Sequence, residues 1–332
     1  MKKIVCLILF AGLLLCTSCG AAPAEGQTWA YDTLCTVRVW GGRDPIAVFA
    51  AAAAEGQRLL SPDGTKQFTA SVDGEELKIS ADLARILNQS GILYEKTNGV
   101  FDLTVAPLSE LWDVNRATVP PLEEEILDTL SRVGFDRLTL TGDSVVFSRA
   151  GTGVDIGSVG KGYGADYAVT ALKSAGADAG VVSFGGNVAV FGTRNGSPFR
   201  IGIRDPKGGS SDYLGILSVT DCSVVTSGAY ERYFEYTGTV YHHLLDAKTG
   251  YPRQSDLLSV TVLCADGAQA DMMATALWLM GEKEGFALYE ALQNTEGFLP
   301  SEAIFVCADG RVIVSDGVAD RFSLTSDQYR LE

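Results

Sequence analysis

The chain has 332 residues, 46% of them hydrophobic and 20% charged, the profile of a globular protein and not of a disordered or fibrous one. Its 26 basic and 41 acidic side chains give a net charge of −15, and no cluster of Lys and Arg follows the first three residues, which argues against nucleic acid as a partner. An anionic small substrate would therefore need locally placed cations, in a chain long enough for one large domain or two ordinary ones.

In chain order, Lys2 and Lys3 precede an apolar stretch over residues 4–16, followed by Thr17, Ser18 and Cys19. This is the layout of a secretory signal peptide and is shorter than the ~20 apolar residues of a membrane span. Small residues just before a cysteine are the pattern of a bacterial lipoprotein, so residues 1–18 are expected to be removed and Cys19 to become the lipidated N-terminus. A plain signal peptide cut near Ala21 or Ala22 is the alternative, and Cys16 replaces the usual Leu three residues before the modified cysteine. Loss of Lys2 and Lys3 takes the net charge from −15 to −17. Small and polar residues over 19–28 read as a tether, with one folded domain from 29 to 332.

Helical periodicity is expected over residues 45–60, over 82–96 behind a Ser80 cap, and over 122–133. Residues 137–140 and 144–147 flank Thr141-Gly142-Asp143 and read as a hairpin. Further strands are expected over 180–184, 188–191, 199–203, 216–219, 232–236, 240–245, 257–264 and 303–306. Many strands with irregularly interspersed helices indicate an α+β fold. Outside the leader the cysteines are Cys35, Cys222, Cys264 and Cys307, without CxxC spacing. A zinc site does not fit; buried free thiols in apolar runs do, and a single disulfide stays open.

Three segments carry candidate chemistry. Residues 155–166 are glycine-rich, follow a strand and open a helix running to about Ala175, so they read either as a structural turn or as a phosphate site. Gly160-x-Gly162-x-x-Ala165 lacks the following strand and acid of a dinucleotide fingerprint, and Gly160-Lys161 lacks the spacing and hydroxyl of a P-loop. Residues 241–252 hold the only histidines, His242 and His243, which strand alternation sends to opposite faces, so one of them at most faces a given site. Asp271 and Thr275 lie four apart on an expected helix, which puts two hard oxygen donors on one face, as suits Mg²⁺; a first-turn acid and a core threonine are the plain alternative.

Together these segments resemble, in order and spacing, the ApbE-like FAD:protein FMN transferase family of bacterial periplasmic or surface lipoproteins. The match takes in Tyr31-Asp32-Thr33, residues 101–108 with Leu111-Trp112, residues 155–162, Phe184-Gly185-Gly186-Asn187, Gly202-Ile203-Arg204-Asp205-Pro206, and residues 226–233, 242–252 and 271–275. The resemblance implies a single compact α+β domain, T-fold-related, with mixed and antiparallel sheets and packed helices. It also implies an enzyme that transfers the FMN half of FAD to a Thr hydroxyl of a partner flavoprotein, releasing AMP and requiring Mg²⁺. Carried over by position, Asp271, Thr275 and the Ser158 carbonyl hold the metal, and His243 is the general base with His242 as structural neighbour. Asp155 and Lys161 contact FAD, while Tyr31, Trp112 and Leu245 line the flavin or adenine cavity. Family members carry Met at the position of Tyr31, Ala at Gly160 and Pro at Ala247, and the stretch 65–71 departs from the family loop that shapes the FAD pocket. Partners implied are FAD, Thr-containing flavoproteins of membrane or extracytoplasmic electron transfer, and the membrane through the lipid anchor. Alternatives are an FAD pyrophosphatase on the same site, a non-catalytic FAD-binding lipoprotein, and a two-lobed solute-binding lipoprotein without Mg²⁺ dependence.

Overall fold

The computed structural model describes residues 22–62, 64–209 and 211–332. The expected leader over 1–18 and the lipidated Cys19 lie outside these residues. The elements run in order β1 (Ala24–Ala30), β2 (Thr33–Gly41), α1 (Pro45–Leu59), β3 (Gln67–Thr69), β4 (Glu75–Lys78), α2 (Ala81–Lys96), α3 (Ala106–Trp112), α4 (Glu123–Leu130), β5 (Leu138–Thr141), β6 (Ser144–Phe147) and β7 (Gly153–Asp155). They continue with α5 (Gly160–Ser174), β8 (Ala177–Phe184), β9 (Asn187–Phe191), β10 (Phe199–Arg204), β11 (Tyr213–Val219), β12 (Cys222–Gly228), β13 (Tyr233–Tyr236) and β14 (Thr239–His242). The last are β15 (Leu257–Cys264), α6 (Gly267–Leu292), β16 (Ser301–Cys307), β17 (Arg311–Val314), α7 (Asp316–Ala319), β18 (Phe322–Leu324) and β19 (Arg330–Leu331).

Nine strands form one sheet in the order β1-β2-β8-β9-β12-β15-β16-β17-β19, antiparallel throughout except for the β17–β19 pair. Both faces are covered, and alternation along the central strands sorts the side chains. Val225, Val262 and Phe305 pack with α6 in the largest core, whereas Val224, Leu263 and Ile304 pack with Leu214, Leu217 and Phe322 of the smaller β10-β11-β18 sheet. A third core lies where α1 and α5 cover β2, β8 and β9. Burial on both faces is why β15 reads as an apolar run and not as an alternating one. The α+β expectation and the compact arrangement of mixed sheets and helices hold.

The amphipathic helices were legible: α1, α2 and α4 fall within about a residue or two of the expected spans at most of their ends, and the Ser80 hydroxyl accepts the Leu83 N–H at 3.0 Å as the N-cap. The β5–β6 hairpin turns at Gly142 with φ 58°. The tether is corrected. Of residues 19–28, Ala24 to Thr28 belong to β1, which pairs with β2 along its whole length. Side chains alternate in exposure along β1, and Gly26 leaves room for Ile46 of α1, whose Cγ2 would stand 2.7 Å from a Cβ there. An edge strand held by backbone pairing keeps a small, polar composition, and that composition imitates a linker.

The four thiols Cys35, Cys222, Cys264 and Cys307 are all free, and burial pushes Cys35 and Cys222 up to about 11 and Cys264 and Cys307 up to about 12. At ordinary pH they are protonated side chains of the core.

Candidate active site

Two close approaches of backbone assemble the site. Helices α5 and α6 cross at Gly162 and Gly267: a Cβ on Gly162 would lie 1.9 Å from the Gly267 carbonyl oxygen, and one on Gly267 would lie 2.6 Å from that of Gly162. Glycine is needed at the crossing because no side chain fits between the helices. The Gly162 N–H then donates to Asp271 Oδ2 at 2.9 Å, so the start of α5 is tied to the second turn of α6. The glycine-rich segment is thus a helix-crossing device as well as a wall of the site. The second approach is the two-residue turn between β1 and β2, in which Tyr31 and Asp32 take φ 53° and 54°, the primed geometry of a tight hairpin.

Between these parts lies a cavity of about 780 Å³, in the upper part of the size range of small-molecule sites. Its wall includes Asp155, Ser158, Lys161, His243, Leu245, Asp271 and Thr275, so the expected base, metal ligands and most FAD contacts converge. Tyr31 does not line it. Its ring packs over Gly160 and Gly164 and meets Phe184 edge-on at 5.5 Å, beside a small adjoining recess, while its turn neighbour Asp32 reaches the main cavity. Trp112 borders the cavity but is wholly buried, with its Nε1–H donated to the Gly250 carbonyl at 2.7 Å.

The two histidines do face apart. His242 is buried with its ring edge-to-face on Trp278 at 5.3 Å, and burial pulls it down to about 4. His243 faces the cavity, and its Nδ1 lies 3.2 Å from the Arg232 carbonyl oxygen, a group that only accepts. The Nδ1 is therefore the protonated nitrogen, which leaves Nε2 as the ring nitrogen able to accept a proton. Burial, with the nearby Arg232 and Lys161 charges, holds His243 down to about 3, so the ring is neutral at physiological pH.

Asp271 is 1% exposed, and among the described residues no Lys, Arg or His nitrogen lies within 4.0 Å of its carboxylate. A buried carboxylate with one N–H bond and no cation beside it, next to the Thr275 hydroxyl, is a hard-oxygen donor set of the kind Mg²⁺ takes. Thr275 Oγ1 lies 3.1 Å from Ser227 Oγ, which orients it. The wall as a whole presents four basic side chains, Lys66, Arg116, Lys161 and Arg232, against seven acidic ones. Residues present at the site thus fit a divalent cation.

Asp155 caps the following turn by accepting the Gly157 N–H at 2.7 Å, and its other oxygen accepts from Gln67 Nε2 at 2.8 Å with Lys66 Nζ 3.7 Å away. Lys161, in the first turn of α5, lies 4.0 Å from Glu231. Lys66, Arg232 and the rim residues Asp113 to Arg116 were not singled out in the sequence. Arg232 lies inside the family motif at 226–233, and Lys66 lies in the stretch where the family pattern breaks.

The family model described as ApbE matches residues 31–299. The chain belongs to the ApbE family. Among ApbE relatives, the FAD:protein FMN transferase of Treponema pallidum is 29% identical, with 99% of both chains covered. That of Vibrio cholerae is 33% identical over 68% of this chain and 69% of its own. The solved flavin transferase ApbE from Vibrio cholerae superposes with a TM-score of 0.76 at 26% identity, covering 90% of this chain and 99% of that one. The ApbE fold therefore accounts for nine-tenths of this chain.

Proposed function

We propose that this chain is an Mg²⁺-dependent FAD:protein FMN transferase that moves FMN from FAD to a Thr hydroxyl of a partner flavoprotein and releases AMP. The observation that carries the reading is a neutral histidine with its Nε2 lone pair available, in the wall of a cavity that also holds Asp271, Thr275 and Lys161. His243 Nε2 accepts the Thr proton as the Thr oxygen attacks the phosphorus of the FMN half. A new P–O bond forms, the P–O bond of the pyrophosphate breaks, and AMP departs with the bridging oxygen. Lys161, Lys66 and Arg232 supply fixed positive charge to the diphosphate, offset within the same wall by the more numerous carboxylates. Asp271, Thr275 and the Ser158 carbonyl would hold Mg²⁺, which when bound neutralises phosphate charge and polarises the phosphorus. The protein is further proposed to act outside the cytoplasm, anchored to a bacterial membrane through Cys19, on flavoproteins of electron transfer.

The test incubates the body from residue 22 onward, which keeps β1 intact, with FAD, Mg²⁺ and a Thr-bearing flavoprotein domain. FMN on the acceptor by mass spectrometry, AMP by chromatography and loss of both in His243→Ala are the expected results. AMP with free FMN alone makes the protein an FAD pyrophosphatase, and intact FAD makes it a binding protein.

A further inference from the structure

A flavin or adenine wall needs an open aromatic face, and Trp112 has none. Its relative exposure is 0%; Tyr241 stacks on it at 5.6 Å and 27°, and Tyr251 meets it edge-on at 5.9 Å. Its single donor is engaged by the Gly250 carbonyl at 2.7 Å. Gly250, with φ 76°, is the corner of the loop that starts directly after His243.

That loop is closed by more than one clamp. Leu245 bridges Pro252, the Arg253 N–H donates to the Leu244 carbonyl at 2.9 Å, and the Gly250 N–H donates to the Asp246 carbonyl at 2.8 Å. Inside it the Asp246 carboxylate, only 2% exposed, takes Arg253 Nη1 at 2.6 Å on one oxygen and the Lys248 N–H at 2.9 Å on the other. His243 is therefore held from both sides along the chain: by the Arg232 carbonyl before it, and by a loop pinned to α3 through one indole N–H after it. Such fixing matters because a base displaced by about an ångström from its proton can lose on the order of 10²-fold in rate.

We propose that Trp112, through the Gly250 carbonyl, and Asp246, through Arg253, are positioning residues for His243 and that neither one contacts FAD. The proposal rests on the reading of His243 as the base. It separates Trp112 from the other cavity residues: as an aromatic wall it would govern FAD affinity, as plain core it would govern stability alone, and as a loop anchor it governs turnover.

The experiment uses Trp112→Phe, which keeps a stacked ring and removes the donor, beside Asp246→Asn, His243→Ala and the Trp112→Phe/His243→Ala double variant. FAD Kd is read from flavin fluorescence with Mg²⁺ present, and kcat and KM from FMN transfer. Expected for each single loop variant is an FAD Kd and KM within about twofold of the parent and a kcat lower by about tenfold or more, with the double variant no worse than His243→Ala. A weakened FAD Kd with kcat retained would overturn the proposal in favour of a wall role. A lowered unfolding midpoint with kcat unchanged in both loop variants would overturn it in favour of packing alone, as would a double variant well below His243→Ala. Transfer surviving in His243→Ala would instead remove the base reading itself, whatever the loop variants do.

Discussion

The carbonyl oxygen of Arg232 lies 3.2 Å from His243 Nδ1 and 3.2 Å from the His243 backbone nitrogen, so one acceptor fixes both the position and the tautomer of the ring. The same residue carries a guanidinium that, after burial, is the largest influence holding His243 down to about 3.

The pH dependence follows with a definite sign. A base works deprotonated, so activity controlled by His243 is present above its pKa and lost below it. Because that value lies near 3 and not at the ordinary 6.5, kcat/KM for transfer is expected to stay level between about pH 5 and 8, with no acid limb near 6.5. Arg232→Met removes the guanidinium and keeps the carbonyl. The acid limb should then move upward, toward the ordinary histidine value, in a pH–rate profile. An unmoved limb would mean that burial alone sets the protonation state.

Asp271→Asn retains the shape of the side chain and removes its charge. Transfer should fall on the order of 10²-fold or more, and Mg²⁺ should no longer raise the thermal midpoint, as read by calorimetry with and without the ion. Chelation of the parent protein should reproduce the loss of activity, and added Mg²⁺ should restore it. A variant that still responds to Mg²⁺ like the parent would place the ion elsewhere.

Gly162→Ala forces a methyl group against the Gly267 carbonyl, where the available distance is 1.9 Å and the obstacle is backbone. The helices must separate, at a cost of about 1–3 kcal/mol in folding stability. Urea denaturation should show it, together with reduced transfer, because the Gly162–Asp271 hydrogen bond spans the same crossing. Gly176→Ala is a control for space only, since a Cβ at Gly176 meets nothing within 4 Å, although its φ of 85° adds local backbone strain.

Anchoring is tested at Cys19. Mass spectrometry of the N-terminal peptide from membranes should show a diacylated or triacylated cysteine as the first residue. Cys19→Ala should leave the leader uncleaved or release the body from the membrane fraction. An unmodified N-terminus near Ala21 or Ala22 would establish the plain signal peptide in its place.

Local sequence determined a good deal. The periodicity of 45–60 and 82–96, the Ser80 cap and the Gly142 hairpin appear in the fold because an amphipathic stripe, a cap and a turn are each decided within a few residues. His242 and His243 face apart where β14 ends, His243 being the first residue beyond the strand. The ordered motifs carried the family, and with it most of the residues now found around the cavity.

The tertiary structure decided the rest, because its causes lie between residues distant in sequence. Whether Ala24 to Thr28 were tether or strand depended on the partner strand β2, which no window over 19–28 contains. That Gly162 serves a helix crossing depended on Gly267, and the Gly162–Asp271 bond that follows joins positions 109 apart. Tyr31 and Trp112 look alike in sequence, as aromatic residues in family motifs. One turned beneath a glycine face and the other closed on the Gly250 carbonyl, since a side chain's role is set by what packs around it in space.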